Sequence, residues 1–312
     1  MGRFRIGGTA ATRQLDSVVS SNLAAVEVGT SSYGLLCNED GGVIDDVFAY
    51  RREDGWLLVV NAANRKRDAE WLSDHFLASD VVLEEISDQS AMIAVQGPLA
   101  IRLVDTVSAR PVSELARFAI VTTEVASCVV DIGRTGYTGE DGVELIVPRD
   151  HAIDIWELLL DAARQERIEA GPVGLAARDS LRFEAGFALY GHELRQDITP
   201  IEARLKWACA FETEFVGRDA LLSPPSDEER RLATVRMTER GVPREGFVVA
   251  SEGEPVGWVA SGMYAPTVDE CCANVFVPRA LAKIGQELDI VIRDRPRRAV
   301  VVKRPLYKPK YR

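Results

Sequence analysis

From Leu232 to the C-terminus, nearly every apolar run is short, rich in β-branched residues and bounded by glycine or proline. The runs are "LATVRMTE", "GFVVASEGEPVGWVASGMYAPT", "ANVFVP", "ELDIVIR" and "RAVVVKRPLY". None is long enough or helically periodic enough for a core helix, and so many short strands need a closed or doubly layered arrangement to hide their edges. A small antiparallel barrel is the expectation. Just before this region, "LLSPPSDEERR" (221–231) breaks the pattern with adjacent prolines and a charge run, the composition of a boundary. The spacing therefore predicts two regions, 1–222 and 228–312, the first large enough for two subdomains.

The first region alternates strands with amphipathic helices. "GVIDDVFAYR" and "GWLLVVNAAN" read as strands from their β-branched and aromatic content, and "RDAEWLSDHFLAS" reads as a helix carrying Trp71, Leu72, His75 and Phe76 on one side. "SAMIAVQGPLAIRLVDTV" reads as a strand, a Gly-Pro break and a helix, with Pro98 placed in the helical first turn. "HAIDIWELLLDAARQE" and "GPVGLAARDSLRFEAG" supply two more helices. The fold class is α+β.

Charge and cysteine usage narrow the function. A net charge of -11 disfavours a general nucleic-acid binder, which needs a surplus of lysine and arginine. The tail "RDRPRRAVVVKRPLYKPKYR" is locally cationic all the same, which suits either a solvated edge or a docking surface for an acidic partner. Cys37, Cys128, Cys209, Cys271 and Cys272 have neither metal-ligand spacing nor a disulfide framework, and His75, His151 and His192 are scattered, so no metal is expected. With no secretory signal and no membrane-length apolar run, a cytoplasmic protein with reduced thiols is expected.

Two stretches carry candidate chemistry. "RTGYTGEDGVELIV" (134–147) sets glycines, a tyrosine and acids immediately before an alternating strand, a tight loop or a place where backbone approaches something closely. Along that strand Val143, Leu145 and Val147 share one face, and Glu144 falls on the other. In "VIDDVFAY", adjacent aspartates must point to opposite faces, so Asp46 groups with Ile44, Phe48 and Tyr50, and Asp45 does not.

Seven stretches, "NEDGGVIDDVFAYR", "LLVVNAANRKRDAEWL", "AVQGP", "RTGYTGEDGVEL", "GLAARDSLRFEAGFALYGHEL", "ITPIEARLKWA" and "VGWVASGMYAPT", occur in the order seen in the aminomethyltransferases (T-proteins) of the glycine cleavage system, which the chain resembles over most of its length. The resemblance implies a folate-binding region of mixed sheet and helix followed by a small antiparallel C-terminal β-barrel. It implies transfer of a one-carbon unit from the aminomethyl-lipoyl arm of the acidic H-protein to tetrahydrofolate, with release of ammonia and no metal. Matched to the family, Asp46 is the catalytic carboxylate, with Asp45 as the alternative or as a cap of the preceding turn. Glu144 would grip the pterin, whose paired N–H donors suit a carboxylate's two acceptors. Tyr33, Tyr50, Asn61, Tyr137 and Arg178 match positions around the substrate, as does Tyr311 near the terminus. The family usually has a further segment before the methionine at which this chain opens, so either a longer natural chain with a mis-called start, the preferred reading, or a truncated paralogue of weakened activity is expected. Arg204 and Lys206 also depart from the family's small or polar residues. Other tetrahydrofolate-dependent methyl or aminomethyl transferases and demethylases share the fold and are the competing activity. The folate-binding proteins that assist iron–sulfur enzymes carry a K-G-C-Y-x-G-Q-E motif that this chain lacks.

Overall fold

The computed structural model describes residues 1–223 and 229–309. Compactness divides them into a first unit of Met1–Leu36, Asp45–Gly174 and Glu212–Val216, and a second of Cys37–Ile44, Leu175–Phe211 and Gly217 onward.

The first unit holds two sheets. One is formed by β1 (Gly2–Gly7), β2 (Ser31–Cys37), β3 (Val43–Arg52), β4 (Gly55–Val60) and β5 (Val82–Glu85), in the order β2-β3-β4-β1-β5, with helices α1 (Ala11–Asp16) and α2 (Arg65–His75) inserted between strands. The other contains β6 (Ser90–Gln96), β7 (Ile120–Val125), β8 (Cys128–Gly133) and β9 (Gly142–Pro148), ordered β6-β9-β8-β7, with α3 (Ala100–Asp105) after β6 and α4 (Ala152–Gln165) after β9. Most of the strand and helix runs expected from this part of the sequence lie in these elements, with two exceptions. Helix α2 ends at His75 and leaves Phe76 in an extended conformation, and Pro98 occupies the turn before the residue that precedes α3, not the helical first turn.

The second sheet packs against neighbours on both faces. Val143, Leu145 and Val147 of β9 join a core with Ile93, Val130 and the apolar stripe of α4, namely Ile155, Leu159, Ala162 and Ala163. On the reverse face Ile146 and Ile120 pack against Tyr50, Leu57 and Val59 of the first sheet. Burying a large aliphatic side chain is worth about 1.5–3 kcal/mol. A one-residue slip of β9 would forfeit several such side chains at once, so the register that aims Glu144 at the first sheet is strongly fixed.

In the second unit, β10 (Arg230–Met237), β11 (Val248–Ser251), β12 (Glu254–Ala265), β13 (Glu270–Pro278), β14 (Glu287–Ile292) and β15 (Arg295–Val302) close into the expected antiparallel barrel, in the order β10-β13-β12-β11-β14-β15. Pairing of Thr234 with Val302 and Val235 with Val301 seals it and removes free edges. The interior is filled mainly by alanine and valine (Ala233, Val235, Val259, Ala273, Val275, Ala299, Val301), the small residues that a narrow barrel accommodates. Helix α5 (Leu175–Ala185) contributes a buried arginine: Arg182 bonds Glu193 at 2.8 Å and Ser261 at 2.9 Å, and Asn274 donates to the other Glu193 oxygen at 2.8 Å. No described helix is long and apolar enough to cross a membrane.

Candidate active site

The candidate site is built within the first unit, where β3 presents alternate side chains in two directions. Asp46 and Phe48 are half-buried along one face, and Tyr50, further along, is fully buried. Asp45 points the other way and is inaccessible. The alternation anticipated from sequence therefore separates the two aspartates. Asn61, just after β4, nevertheless touches both. Its side-chain amide donates to Asp46 Oδ1 at 2.7 Å and to Asp45 Oδ1 at 2.9 Å, and its backbone N–H donates to Asp45 Oδ2 at 2.9 Å. Asp45 does not cap the preceding turn, which Asn38 closes by accepting from the Gly42 N–H at 2.8 Å. It faces forward, toward Asn61 and Asn64, whose amide donates to it at 2.5 Å.

Tyr33, on β2, donates its hydroxyl to Asp46 Oδ2 at 3.1 Å. Each oxygen of Asp46 thus has a fixed donor. Burial raises the Asp46 carboxyl most and the neighbouring charge of Asp45 adds to it; the Asn61 and Tyr33 hydrogen bonds oppose them, and the result is a pKa of about 7. The hydrogen bonds limit the drift expected of a buried aspartate without cancelling it. Tyr33 is itself pushed well above its ordinary range, by burial first and then by Asp46, and so remains a donor.

Around this carboxylate lies an aromatic group. Tyr33 is 6.2 Å from Phe48 between ring centroids, Phe48 is 5.4 Å from Tyr50, and Phe48 stacks on Phe118 at 6.1 Å. Phe118 is 48% exposed and has φ of 67°, a left-handed backbone that a bulky residue rarely adopts.

Glu144 enters from β9. It is half-buried and does not face solvent as an isolated strand residue would; Ile146, on the same face, is buried against the first sheet. Thr135 donates to Glu144 Oε2 at 2.6 Å, and the Tyr50 hydroxyl bonds Thr135 at 2.6 Å. Tyr50 therefore works from beneath the site, as the start of a hydrogen-bond chain that aims Glu144. The Tyr50 hydroxyl also reaches Glu144 Oε2 directly, at 3.4 Å.

The glycine-rich loop is shaped by Gln96, at the end of β6. Its amide donates to the carbonyls of Thr135 and Val143 at 3.0 and 3.1 Å, and Thr138 donates back to it at 3.1 Å. A Cβ on Gly136 would lie 1.8 Å from Gln96 Oε1, and one on Gly142 would lie 2.4 Å from the Val95 carbonyl oxygen. These two glycines are required by close approach to Gln96 and its strand. The acid Asp141 is structural as well, clasping Arg134 at 2.8 Å across the loop. Tyr137 is half-buried here, near enough to Tyr33 for the two phenols to interact.

Tyr33, Asp46, Tyr50, Asn61, Tyr137 and Glu144 thus all belong to the first unit, and Arg178 lies on α5 in the second. Tyr311 lies outside the described residues. Sequence reasoning assigned no role to Gln96, Thr135, Phe118 or Asn64. Gln96, Thr135 and Asn64 lie inside motifs that the sequence singles out, but nothing in their spacing shows which distant backbone or carboxylate they meet.

The family profile described as "GCVT N-terminal domain" matches residues 1–213, and "Glycine cleavage T-protein C-terminal barrel domain" matches 230–308. An aminomethyltransferase of Herpetosiphon aurantiacus is 41% identical, the alignment covering 100% of this chain and 86% of the relative. One from Desulforamulus reducens is 37% identical over 99% of this chain and 85% of its own. The crystal structure of the glycine cleavage system aminomethyltransferase T from Bartonella henselae superposes with a TM-score of 0.89 at 30% identity, covering 98% of this chain and 84% of that one. With profiles matched along both regions and relatives aligned along the whole of this chain, the chain belongs to the glycine cleavage T-protein family of tetrahydrofolate-dependent aminomethyltransferases.

Proposed function

We propose that the first unit binds the pterin of tetrahydrofolate between Glu144 and the aromatic group, and that Asp46 carries the one-carbon transfer. The observation supporting this most directly is the pair of oriented carboxylates: Asp46 held by Tyr33 and Asn61, Glu144 held by Thr135, with Phe48 and Tyr50 between them along β3. Glu144 is suited to accept the pterin's adjacent N–H donors. The flat side chains of Tyr33, Phe48 and Phe118 suit a planar ring.

In the reaction we assign, the donor is the aminomethyl group on the lipoyl sulfur of H-protein. The carbon's bonds to sulfur and nitrogen break, and bonds to two folate nitrogens form. The two protons leaving those nitrogens go to the amine, which departs as ammonia, and to the lipoyl thiolate. The protein mainly holds the folate nitrogens near the incoming carbon. Ionised Asp46 offers negative charge beside the iminium-like carbon and, with a pKa near neutrality, a proton acceptor at working pH. For the carrier, Arg240, Arg244, Arg293, Arg295 and Arg297 line one cleft of the barrel beside Glu239, Asp269 and Glu270, a surface with an excess of cations that suits an acidic protein.

The test is a titration of tetrahydrofolate against wild type and Glu144→Gln. Glutamine presents one acceptor to two donors, and the unsatisfied group costs roughly 1–3 kcal/mol, a loss of about 5- to 150-fold in affinity. Equal affinity would remove Glu144 from the site. Ammonia release from aminomethylated, lipoylated H-protein separates this donor from the alternative methyl donors of the fold.

A further inference from the structure

Asp68, in the first turn of α2, does not touch Asp46 through a hydrogen bond but meets Asp45, which shares Asn61 with Asp46. It and Asp45 are both fully buried. The two carboxyls are nevertheless served very differently. Asp45 accepts from the Asn61 N–H, the Asn61 amide and the Asn64 amide. Neither oxygen of Asp68 has a donor among the described residues, and the side chain it meets is Asp45, another acceptor. A buried carboxylate without donors is strongly disfavoured, and two carboxylates in contact repel. A single proton between them resolves both problems, and because three donors already favour the ionised form of Asp45 and leave it one acceptor position, the proton belongs on Asp68.

We propose that Asp68 is a positioning residue of the transfer site, held as a neutral acid that donates its O–H to Asp45 and so fixes the Asn61 amide on Asp46. The proposal rests on the reading of Asp46 as the catalytic carboxylate. Asn61 is the connecting part. Both hydrogens of its amide are committed, one to Asp45 and one to Asp46. Rotating that amide by half a turn would set its carbonyl against two carboxylates. Asp45 prevents the rotation, and Asp68 holds Asp45. Keeping Asp68 neutral also spares Asp46 a further negative neighbour. The charges around Asp68 agree: burial, then the bond to and charge of Asp45, and more weakly Asp46, favour its protonated form, and Arg67 alone opposes them. The rival is an ionised Asp68 stabilised by the helix N-terminus, but that role requires donors or water, and Asp68 has 0% exposure.

Infrared spectroscopy reads the proton directly. In an Asp46→Asn background, which removes the other carboxyl titrating near neutrality, the protein at neutral pH should show the C=O stretch of a buried protonated carboxyl. Adding Asp68→Asn should abolish the band. Its absence before that substitution, or persistence after it, would overturn the proposal whatever Asp46 does. In the otherwise wild-type enzyme, Asp68→Leu should lower kcat roughly 10- to 100-fold, the scale of a small misplacement of reacting groups, with tetrahydrofolate affinity kept. Asp68→Asn, whose amide donates to Asp45 as the acid did, should recover most of that loss. Equal losses in both variants, or none in either, would mean that Asp68 serves packing alone. If the leucine variant does not fold, the spectrum and the asparagine variant still decide. Full turnover in Asp46→Asn would instead sink the underlying reading of Asp46 and leave the infrared result standing.

Discussion

Lowering the pH from about 8 to about 6 should slow turnover roughly tenfold through one group. Asp46 is needed in its ionised form, and its folded pKa is about 7 against an ordinary 3.8. With a midpoint near 7, about nine-tenths of the molecules carry the charge one unit above it and about one-tenth one unit below. The assay is kcat/KM for tetrahydrofolate across this range, in wild type, Asp46→Asn and Tyr33→Phe. The asparagine variant should lose the acid limb. Tyr33→Phe removes a hydrogen bond to the ionised form, so its midpoint should rise by about one unit, the 1.36 kcal/mol that one bond to a charge is worth. Stability should run the opposite way. Because folding raises this acid's pKa, its contribution is fully present below the unfolded value and is lost as pH rises through about 7. Asp46→Asn should therefore melt higher than wild type at pH about 8 and gain little at pH about 4. An acid limb near the ordinary carboxylate range, or one that survives in Asp46→Asn, would refute the assignment of the titration.

Two further outcomes test the framework around the site. Gly136→Ala should displace the Gln96 side chain and cost its bonds to Thr135 and Val143, about 1–3 kcal/mol in all, and the cost should largely vanish in a Gln96→Ala background; additive losses in urea unfolding would show that Gln96 does not shape the loop. In the second unit, Arg182→Met strands buried Glu193 and should cost about 3–5 kcal/mol near neutral pH. Burial acting alone would raise Glu193, but Arg182 and its hydrogen-bond donors outweigh it and hold the carboxyl below its ordinary 4.5. The pair's contribution is therefore present above that value and falls away as pH drops through the folded pKa; a cost below about 1 kcal/mol at neutral pH would contradict the account.

Much of this architecture is legible in the sequence. The short β-branched runs after Leu232 had few outcomes other than a closed barrel, and the period-2 alternation of β3 and β9 placed Asp46 opposite Asp45 and Glu144 opposite Val143 and Leu145. What alternation cannot supply is the identity of the residue across the gap. Glu144 depends on Thr135 and Tyr50, and Tyr50 lies 94 positions away in the chain. Asp45 looked like a turn cap because its nearest sequence neighbours form a turn, yet its donors lie beyond the next strand, at Asn61 and Asn64. Phe118 gave no signal, since an aromatic residue ahead of a strand is commonplace and only the fold stacks it on Phe48. The glycines of the loop did announce a close approach, but the approaching group, Gln96, comes from another strand.

The most direct test of the central claim is single-turnover transfer from aminomethylated H-protein to tetrahydrofolate by wild type, Asp46→Asn and Asp45→Asn, with folate affinity measured alongside. Asp46→Asn keeps the shape and removes the charge, so tetrahydrofolate should still bind, and methylenetetrahydrofolate formation should slow by roughly 10²–10³-fold, the scale of one preorganised electrostatic group. Full speed in Asp46→Asn together with collapse in Asp45→Asn would move the chemistry to the neighbouring carboxylate and contradict the account.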